Sequence, residues 1–451
     1  MNVLLVVHQY LPRHVTGTEQ YVRSVARELK AQGHDVTVLA YEPLIQFEAP
    51  GEEQFERDEV VEGVAVRRMS VHPRHSANRE LGDYENPLVG GMVARFLRSR
   101  TFDVVHVFHL RNIGLSVLRE ARALGLPTVV HLMDFWFVCP NFLLLRSDGS
   151  LCDGPPDGGF GCIACIDPAL AKEVDESGLR PMLEPLRSQP TPQGSFEPTP
   201  ARRAHALLAR KPSLFAELAR ADAVIAPSRF LRSVFERQGF EPDRIRLLPY
   251  GLDPSRGVVR PVATRSRSDR KLRIGYIGSI TRHKGVHVAI RAVRESQRKN
   301  LVLHVHGDLD THPWYSAELR ALAGDDPRIV FEGRFEPTQL GSVLAKFDCV
   351  AVPSLWYENT PFTALEALQF GLPVLASNLG GLAEIVQDGH NGLLFPAGDA
   401  AALGERFEQL SKTRGLLAQL SRNTDVPSID EDVRRLVEIY GELLAAKAVR
   451  T

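Results

Sequence analysis

A chain of 451 residues is long enough for two or three domains, each with its own buried core. With 54 Lys and Arg against 55 Asp and Glu, its net charge of −1 gives no general attraction to nucleic acid, and 44% hydrophobic with 24% charged residues excludes global disorder. No apolar run approaches the roughly 20 residues that cross a bilayer.

The opening Met1–Val7 lacks a basic leader and stops at His8, so it reads as a buried first strand rather than a signal peptide. A cytoplasmic protein is the expectation, with its five cysteines kept as thiols or metal ligands. The first elements form a βαβ unit. Asn2–Val7 is a continuous apolar strand, His8–Thr18 a loop, and Glu19–Ala31 a helix with Tyr21, Val22, Val25, Ala26 and Leu29 on one face. Gly33 closes the helix before strand Val36–Ala40. Strand Asp103–Phe108, helix Leu115–Leu124 and strand Thr128–Leu132 continue the alternation, which argues for a doubly wound parallel sheet. From Cys139 to Pro200 the period is lost among Gly, Pro and Asp, so an insertion is expected over 135–205. Helix Leu207–Ala219 and strand Ala223–Ala226 come next, and the basic, aperiodic segment 254–270 has the composition of a linker.

A second series starts after the linker. Strand Arg273–Ile277, loop Gly278–Gly285 and helix Val286–Gln297 repeat the opening arrangement. Strands Val302–His306, Ile329–Glu332, Cys349–Pro353 and Val374–Ala376 come next, and Val433–Ala446 reads as an amphipathic terminal helix. Two Rossmann-like α/β domains are the simplest organisation, with ligands at the carboxyl ends of the strands.

Within the second series, the stretch from Pro353 to Leu368 carries the most chemistry. A strand ends at Ser354, Thr360 is placed to cap a new helix, and Pro361 fits its first turn. Backbone amides around Phe362 and Thr363, with Asn359 beside them, favour a diphosphate at that helix start. Glu358 in the loop and Glu366 on the helix flank it, one suited to sugar hydroxyls and one to ribose hydroxyls.

The Glu358-x7-Glu366 pair, with Gly371-Leu372-Pro373-Val374 and Gly380-Gly381-Leu382-Ala383-Glu384 after it, resembles retaining glycosyltransferase family 4. The resemblance implies the GT-B architecture, two Rossmann-like domains facing across a cleft. Residues 1–253 would then form the acceptor-side domain and 271–430 the nucleotide-sugar domain, with 431–451 a terminal helix packing back on the first. In Gly278–Gly285, Lys284 matches the family lysine that meets the donor diphosphate; Ser279 stands where the family has arginine, leaving Arg282 as a substitute. Gly17 in Thr16-Gly17-Thr18-Glu19 resembles the family glycine loop that approaches the phosphate or the transferred sugar. Pro249-Tyr250-Gly251-Leu252-Asp253 resembles a family turn that shapes the domain junction. His109 and Asp134, at strand ends of the first domain, are the candidates for orienting the acceptor hydroxyl, against a structural role for each histidine.

Cys139, Cys152, Cys162 and Cys165 are spaced C-x12-C-x9-C-x2-C in one aperiodic segment. Four thiolates so placed suit a structural zinc ion; an iron–sulfur cluster would use the same ligands, and four unconnected thiols are the plain alternative. Cys349, inside a strand, reads as packing.

The resemblance implies front-face transfer with retention, in which the leaving diphosphate helps deprotonate the acceptor. No Asp-x-Asp motif is expected beside the donor site, so donor binding is read as independent of a catalytic metal. The donor that the resemblance implies is a nucleotide-diphosphate sugar, and a glycan or lipid-linked acceptor rests on family analogy. The basic run Arg95–Arg100 offers a peripheral membrane contact, against the plainer reading of a solvated helix face. Two other readings share the donor site: a nucleotide-sugar epimerase or hydrolase, and a non-catalytic sugar-nucleotide-binding subunit.

Overall fold

Uninterrupted runs of Val, Leu and Ile give this chain strands that can be buried on both faces, the condition for a parallel sheet with helices above and below. In the computed structural model, which describes residues 1–43, 53–76, 78–190, 198–253 and 271–450, two such sheets form. The expected linker 254–270 lies outside the described residues.

The first sheet contains β1 (Asn2–Val7), β2 (Asp35–Tyr41), β3 (Gln54–Val61), β4 (Val64–Val71), β5 (Val104–Val107), β6 (Thr128–His131), β7 (Ala223–Ala226) and β8 (Ile245–Leu247). Their order is β3-β4-β2-β1-β5-β6-β7-β8, parallel throughout except for the β3–β4 pair. That hairpin escapes the sequence pattern because β3 is an edge strand whose centre, Glu56-Arg57-Asp58-Glu59, carries charge instead of an apolar run. The second sheet contains β9 (Leu272–Ile277), β10 (Leu301–His306), β11 (Ile329–Gly333), β12 (Cys349–Val352), β13 (Val374–Ser377) and β14 (Gly392–Phe395). Its order is β11-β10-β9-β12-β13-β14, all parallel. In each sheet the order reverses beside its first strand, between β1 and β5 and between β9 and β12. Crossovers leave those strands in opposite directions, which opens a crevice at their carboxyl ends.

Each sheet is the centre of its own unit. One unit comprises Met1–Pro227, Leu231–Pro249 and Asp430–Thr451; the other comprises Ser228–Phe230 and Tyr250–Ile429. The terminal helix Ile429–Arg450 therefore belongs, from Asp430 onward, to the first unit. Tyr21 Oη donates to Asp432 Oδ2 at 2.7 Å, and the Tyr440 hydroxyl meets His106 Nδ1 at 2.6 Å, both pairs fully inside. The segment expected as an aperiodic insertion is partly helical: Phe160–Ile166, Pro168–Glu176 and Arg180–Leu183 pack on helix Pro200–Leu218, which starts seven residues before the expected Leu207. Ile163, Leu170, Val174 and Leu208 form their common core, too short in each helix to show a period.

His106 and His131 lie stacked in the first core, ring centroids 5.6 Å apart. Burial pushes His131 down to about 3 and His106 well below the ordinary histidine range, with His131 adding to the latter. A depressed histidine contributes its full stability above the unfolded value of about 6.5 and loses it as pH falls below that. His131 alone should therefore remove about 2 kcal/mol between pH 7.5 and pH 5. Urea unfolding at the two pH values is the measurement, and His131→Phe should flatten the acid slope. An acid slope unchanged in that variant would remove the assignment.

Candidate functional site

In the second unit, Lys284 comes after β9 and Glu358 after β12, the two strands at the point of reversal. A short turn, Arg282–Lys284, ends at Gly285 in the left-handed region (φ 73°). A Cβ there would lie 1.8 Å from the Pro353 carbonyl oxygen, so only glycine lets the turn press against the end of β12. Leu355 N donates to His283 O at 2.8 Å across that contact. The loop carrying Glu358 is closed from the other side by Gly381, whose N–H donates to Glu358 O at 2.7 Å and whose Cβ would meet Asn359 O at 1.5 Å. Two close backbone approaches thus fix where the charged side chains start.

Those side chains converge. Lys284 Nζ lies 2.7 Å from Glu358 Oε1, and the same oxygen accepts from Ser354 Oγ at 2.7 Å and from Trp356 Nε1 at 2.9 Å. Glu358 and Ser354 are buried, and the Lys284 ammonium sits 4.9 Å over the Trp356 ring. His283 stands edge-on to the same ring at 5.3 Å, and burial, reinforced by Lys284, pushes its imidazole down to about 4.

Helix Phe362–Gln369 begins one residue later than expected, with Pro361 rather than Thr360 at the cap. Proline offers no side-chain acceptor, so the helix start is uncapped, and the Thr360 hydroxyl oxygen is buried beside it with no hydrogen-bond partner among the described residues. The Phe362 ring stacks on Tyr250 at 5.2 Å, and Asn359 Oδ1 accepts from Ser228 Oγ at 2.7 Å. Thr363 and Glu366 are half-buried on the first two turns. The Arg282 guanidinium pairs with Glu318 at 2.7 and 3.0 Å on the surface. Ser279 is exposed, its carbonyl oxygen taken by Tyr276 Oη at 2.8 Å. An Asp-x-Asp triplet, Asp308-Leu309-Asp310, does come after β10. Its Asp308 carboxylate is engaged by its own turn, through Asp310 N at 2.8 Å and Thr311 Oγ1 at 2.7 Å.

In the first unit the corresponding strands are β1 and β5, and the His8 and His109 rings at their ends meet at a tilt with centroids 4.2 Å apart. His109 Nδ1 accepts from Arg111 N at 3.1 Å, which puts the ring proton on Nε2, 3.2 Å from Asp134 Oδ2. The other Asp134 oxygen accepts from Trp136 N at 2.8 Å. His109 thus has both nitrogens committed and orients Asp134, the more exposed of the two. Below Trp136, the buried Arg210 guanidinium bonds the Trp136 carbonyl oxygen at 2.6 Å and Asp83 at 3.0 Å, which holds the segment after β6 in place. Gly17 opens helix Gly17–Ala31; Thr16 Oγ1 bonds Glu19 Oε2 at 2.5 Å, and Glu19 Oε1 lies 3.5 Å from His8. Burial first, then His109, Arg111 and His14, push His8 well below its ordinary range. Sequence reasoning missed His8, whose position directly after β1 was the available signal, and named Glu19 only as part of the glycine loop.

All four clustered cysteines line one cavity of about 160 Å³, and all are free thiols. Cys139 Sγ bonds Asn141 Oδ1 at 2.9 Å and Cys152 Sγ bonds Gly154 O at 3.0 Å. Burial, and then the other three thiols, push Cys162 up to about 12. As they stand, no group of three or more His, Cys, Asp or Glu side chains among the described residues is drawn together tightly enough to hold a metal ion. In kind, four thiols around a single cavity are the donor set of a structural zinc site. The basic run on helix Pro87–Ser99 is not bare. Arg95 pairs with Glu56, Arg98 with Glu120 and Arg100 with Asp58. No helix among the described residues is long and apolar enough to cross a membrane.

Comparison with known families decides what this scaffold belongs to. A model described as "Glycosyl transferase 4-like domain" matches residues 16–158, and one described as "Glycosyl transferases group 1" matches 271–413, together well over half of the chain. The chain belongs to the group 1 glycosyltransferases. Among curated relatives, D-inositol 3-phosphate glycosyltransferase of Acidothermus cellulolyticus is 29% identical over 50% of this chain, and the match spans 56% of that relative's length. Glycogen synthase of Mycobacterium tuberculosis is 26% identical over 89% of this chain and 84% of its own. Anabaena Alr3699/HepE, solved in complex with UDP, superposes with a TM-score of 0.65 at 16% identity, covering 98% of this chain and 100% of that one. The fold of this glycosyltransferase is GT-B, two parallel-sheet α/β domains, as its sequence implies.

Proposed function

We propose that this protein transfers a sugar, with retention, from a nucleotide-diphosphate donor to a hydroxyl of a glycan or lipid-linked acceptor, in cytoplasmic synthesis of a polysaccharide or cell-surface glycan. The observation that carries this reading is the Lys284–Glu358 pair at the reversal point of the second sheet, beside an uncapped helix start.

A diphosphate leaving group gathers negative charge as the anomeric C–O bond breaks and its electron pair moves to the diphosphate. A fixed cation and the dipole of a helix start without a side-chain cap stabilise that charge without a divalent ion. Lys284 is the cation. Glu358, held through Oε1, keeps Oε2 for a hydroxyl of the transferred sugar; Glu366 is assigned to the ribose. The acceptor oxygen bonds the anomeric carbon on the face the diphosphate leaves, and its proton passes to the departing diphosphate oxygen. Asp134, oriented by His109 and Trp136 N, is assigned to the acceptor hydroxyl. A zinc ion held by Cys139, Cys152, Cys162 and Cys165 is part of the proposal as a structural element, since four thiol ligands leave no open position for a reacting water.

Thermal-shift titration with UDP, GDP and ADP should raise the melting temperature with one of them, by about 2.7 kcal/mol of stability at a hundredfold excess over Kd. With the matching nucleotide sugar, turnover should persist in excess EDTA. No shift with any of the three would remove the donor site, and activity lost in EDTA but restored specifically by Mg²⁺ would overturn metal independence.

A further inference from the structure

One side chain in the second unit touches both charges of the donor pair. Trp356 Nε1 donates to Glu358 Oε1 at 2.9 Å, and its ring carries the Lys284 ammonium at 4.9 Å from the centroid. We propose that Trp356 is the positioning residue of this site; the proposal rests on the donor-site reading above.

The argument starts from the carboxylate. Glu358 is buried, and a buried carboxylate needs its charge satisfied. Three donors arrive, from Lys284, Ser354 and Trp356, and all three go to Oε1. Among the described residues no hydrogen bond is made to Oε2. Two fixed donors, the Ser354 hydroxyl and the indole N–H, therefore set the plane of the carboxylate and leave its second oxygen for a ligand. Lysine is the mobile member, a charge on a flexible stem. The indole face gives it an attractive resting position within reach of Glu358. His283, neutral and edge-on to the other part of the ring, limits how the indole can turn. Loss of the N–H should misplace the carboxylate, whereas loss of the face should misplace the cation.

These two losses separate experimentally. Trp356→Phe keeps an aromatic face and removes the N–H, so kcat should fall about tenfold with UDP affinity within about twofold of the parent. Trp356→Leu removes both, so kcat should fall at least as far and Kd for the diphosphate should rise about three- to tenfold. Ser354→Ala removes the other fixed donor and should reproduce the Phe variant, a check that does not depend on the ring. Calorimetry with UDP, GDP or ADP, whichever the parent binds, and steady-state kinetics on variants of confirmed melting temperature supply the readouts. Parental kcat in the Phe variant overturns the proposal, as do equal affinity losses in the Phe and Leu variants, which would mean simple packing. A parent protein that binds none of the three diphosphates overturns the donor-site reading and this proposal together; a parent that binds and turns over with an indifferent Trp356 overturns this proposal alone.

Discussion

Replacing Lys284 with alanine is expected to lower turnover by about 10²–10³-fold, the loss seen when one group that stabilises developing negative charge is removed. Two effects add. The diphosphate loses its fixed cation, and Glu358 keeps a buried charge with only the neutral donors Ser354 and Trp356 left to it. The second effect is moderated because the Lys284 side chain is 26% exposed and partly hydrated already. Binding of the nucleoside diphosphate should weaken in Lys284→Ala and in Glu366→Ala, while Glu358→Ala should act mainly on kcat, since its free oxygen is assigned to the transferred sugar. A double-mutant cycle with Lys284→Met and Glu358→Gln should show strong coupling, because the two atoms are 2.7 Å apart. Additive losses would mean that the pair is a bystander. Unchanged diphosphate affinity in both Lys284→Ala and Glu366→Ala would remove the proposed donor site altogether.

The ends of this site were legible in the sequence and their meeting was not. Apolar runs at Leu272–Ile277 and Cys349–Val352 announce strands, and a loop leaving the carboxyl end of a parallel strand faces the ligand side. That places Lys284 and Glu358 on the same edge although they are 74 residues apart. In Gly278–Gly285 the family resemblance named Lys284 as the cation on the diphosphate and Arg282 only as a substitute. In the structure Glu318, 36 residues onward on helix Pro313–Ala323, pairs with Arg282. The role of Trp356 was equally hidden, since an indole N–H finds its acceptor only once the loop is folded. In the first unit the sequence named His109 and Asp134 but not their order of dependence. That order is fixed by one backbone donor, Arg111 N, which settles the imidazole proton. The helices of the cysteine segment were unreadable because each has too few buried positions to display a period, and they are stabilised by Leu207 and Leu208 from a helix further along.

The double variant Cys162→Ser/Cys165→Ser is expected to lose one metal equivalent per chain and, with it, the order of the segment after β6. In the structure the four thiols share a cavity, but at least two are turned to oxygen acceptors, Cys139 to Asn141 and Cys152 to Gly154. A closed tetrathiolate site would replace those weak thiol bonds with four metal–sulfur bonds and release the thiol protons. The segment it would hold runs directly on from Asp134 and Trp136, which Arg210 already anchors on its inner side. Asp134 belongs to the first unit and Lys284 and Glu358 to the second. Metal loss should therefore lower transfer to acceptor while the thermal shift given by the nucleoside diphosphate survives. Elemental analysis of protein purified under reducing conditions measures the metal, and paired transfer and diphosphate-binding assays measure the consequence. Below about half a zinc or iron atom per chain in the unmutated protein, four independent buried thiols become the better account, given how tightly structural zinc is held. Diphosphate binding that fails together with transfer would instead show that the cysteine segment supports the whole protein rather than the acceptor side.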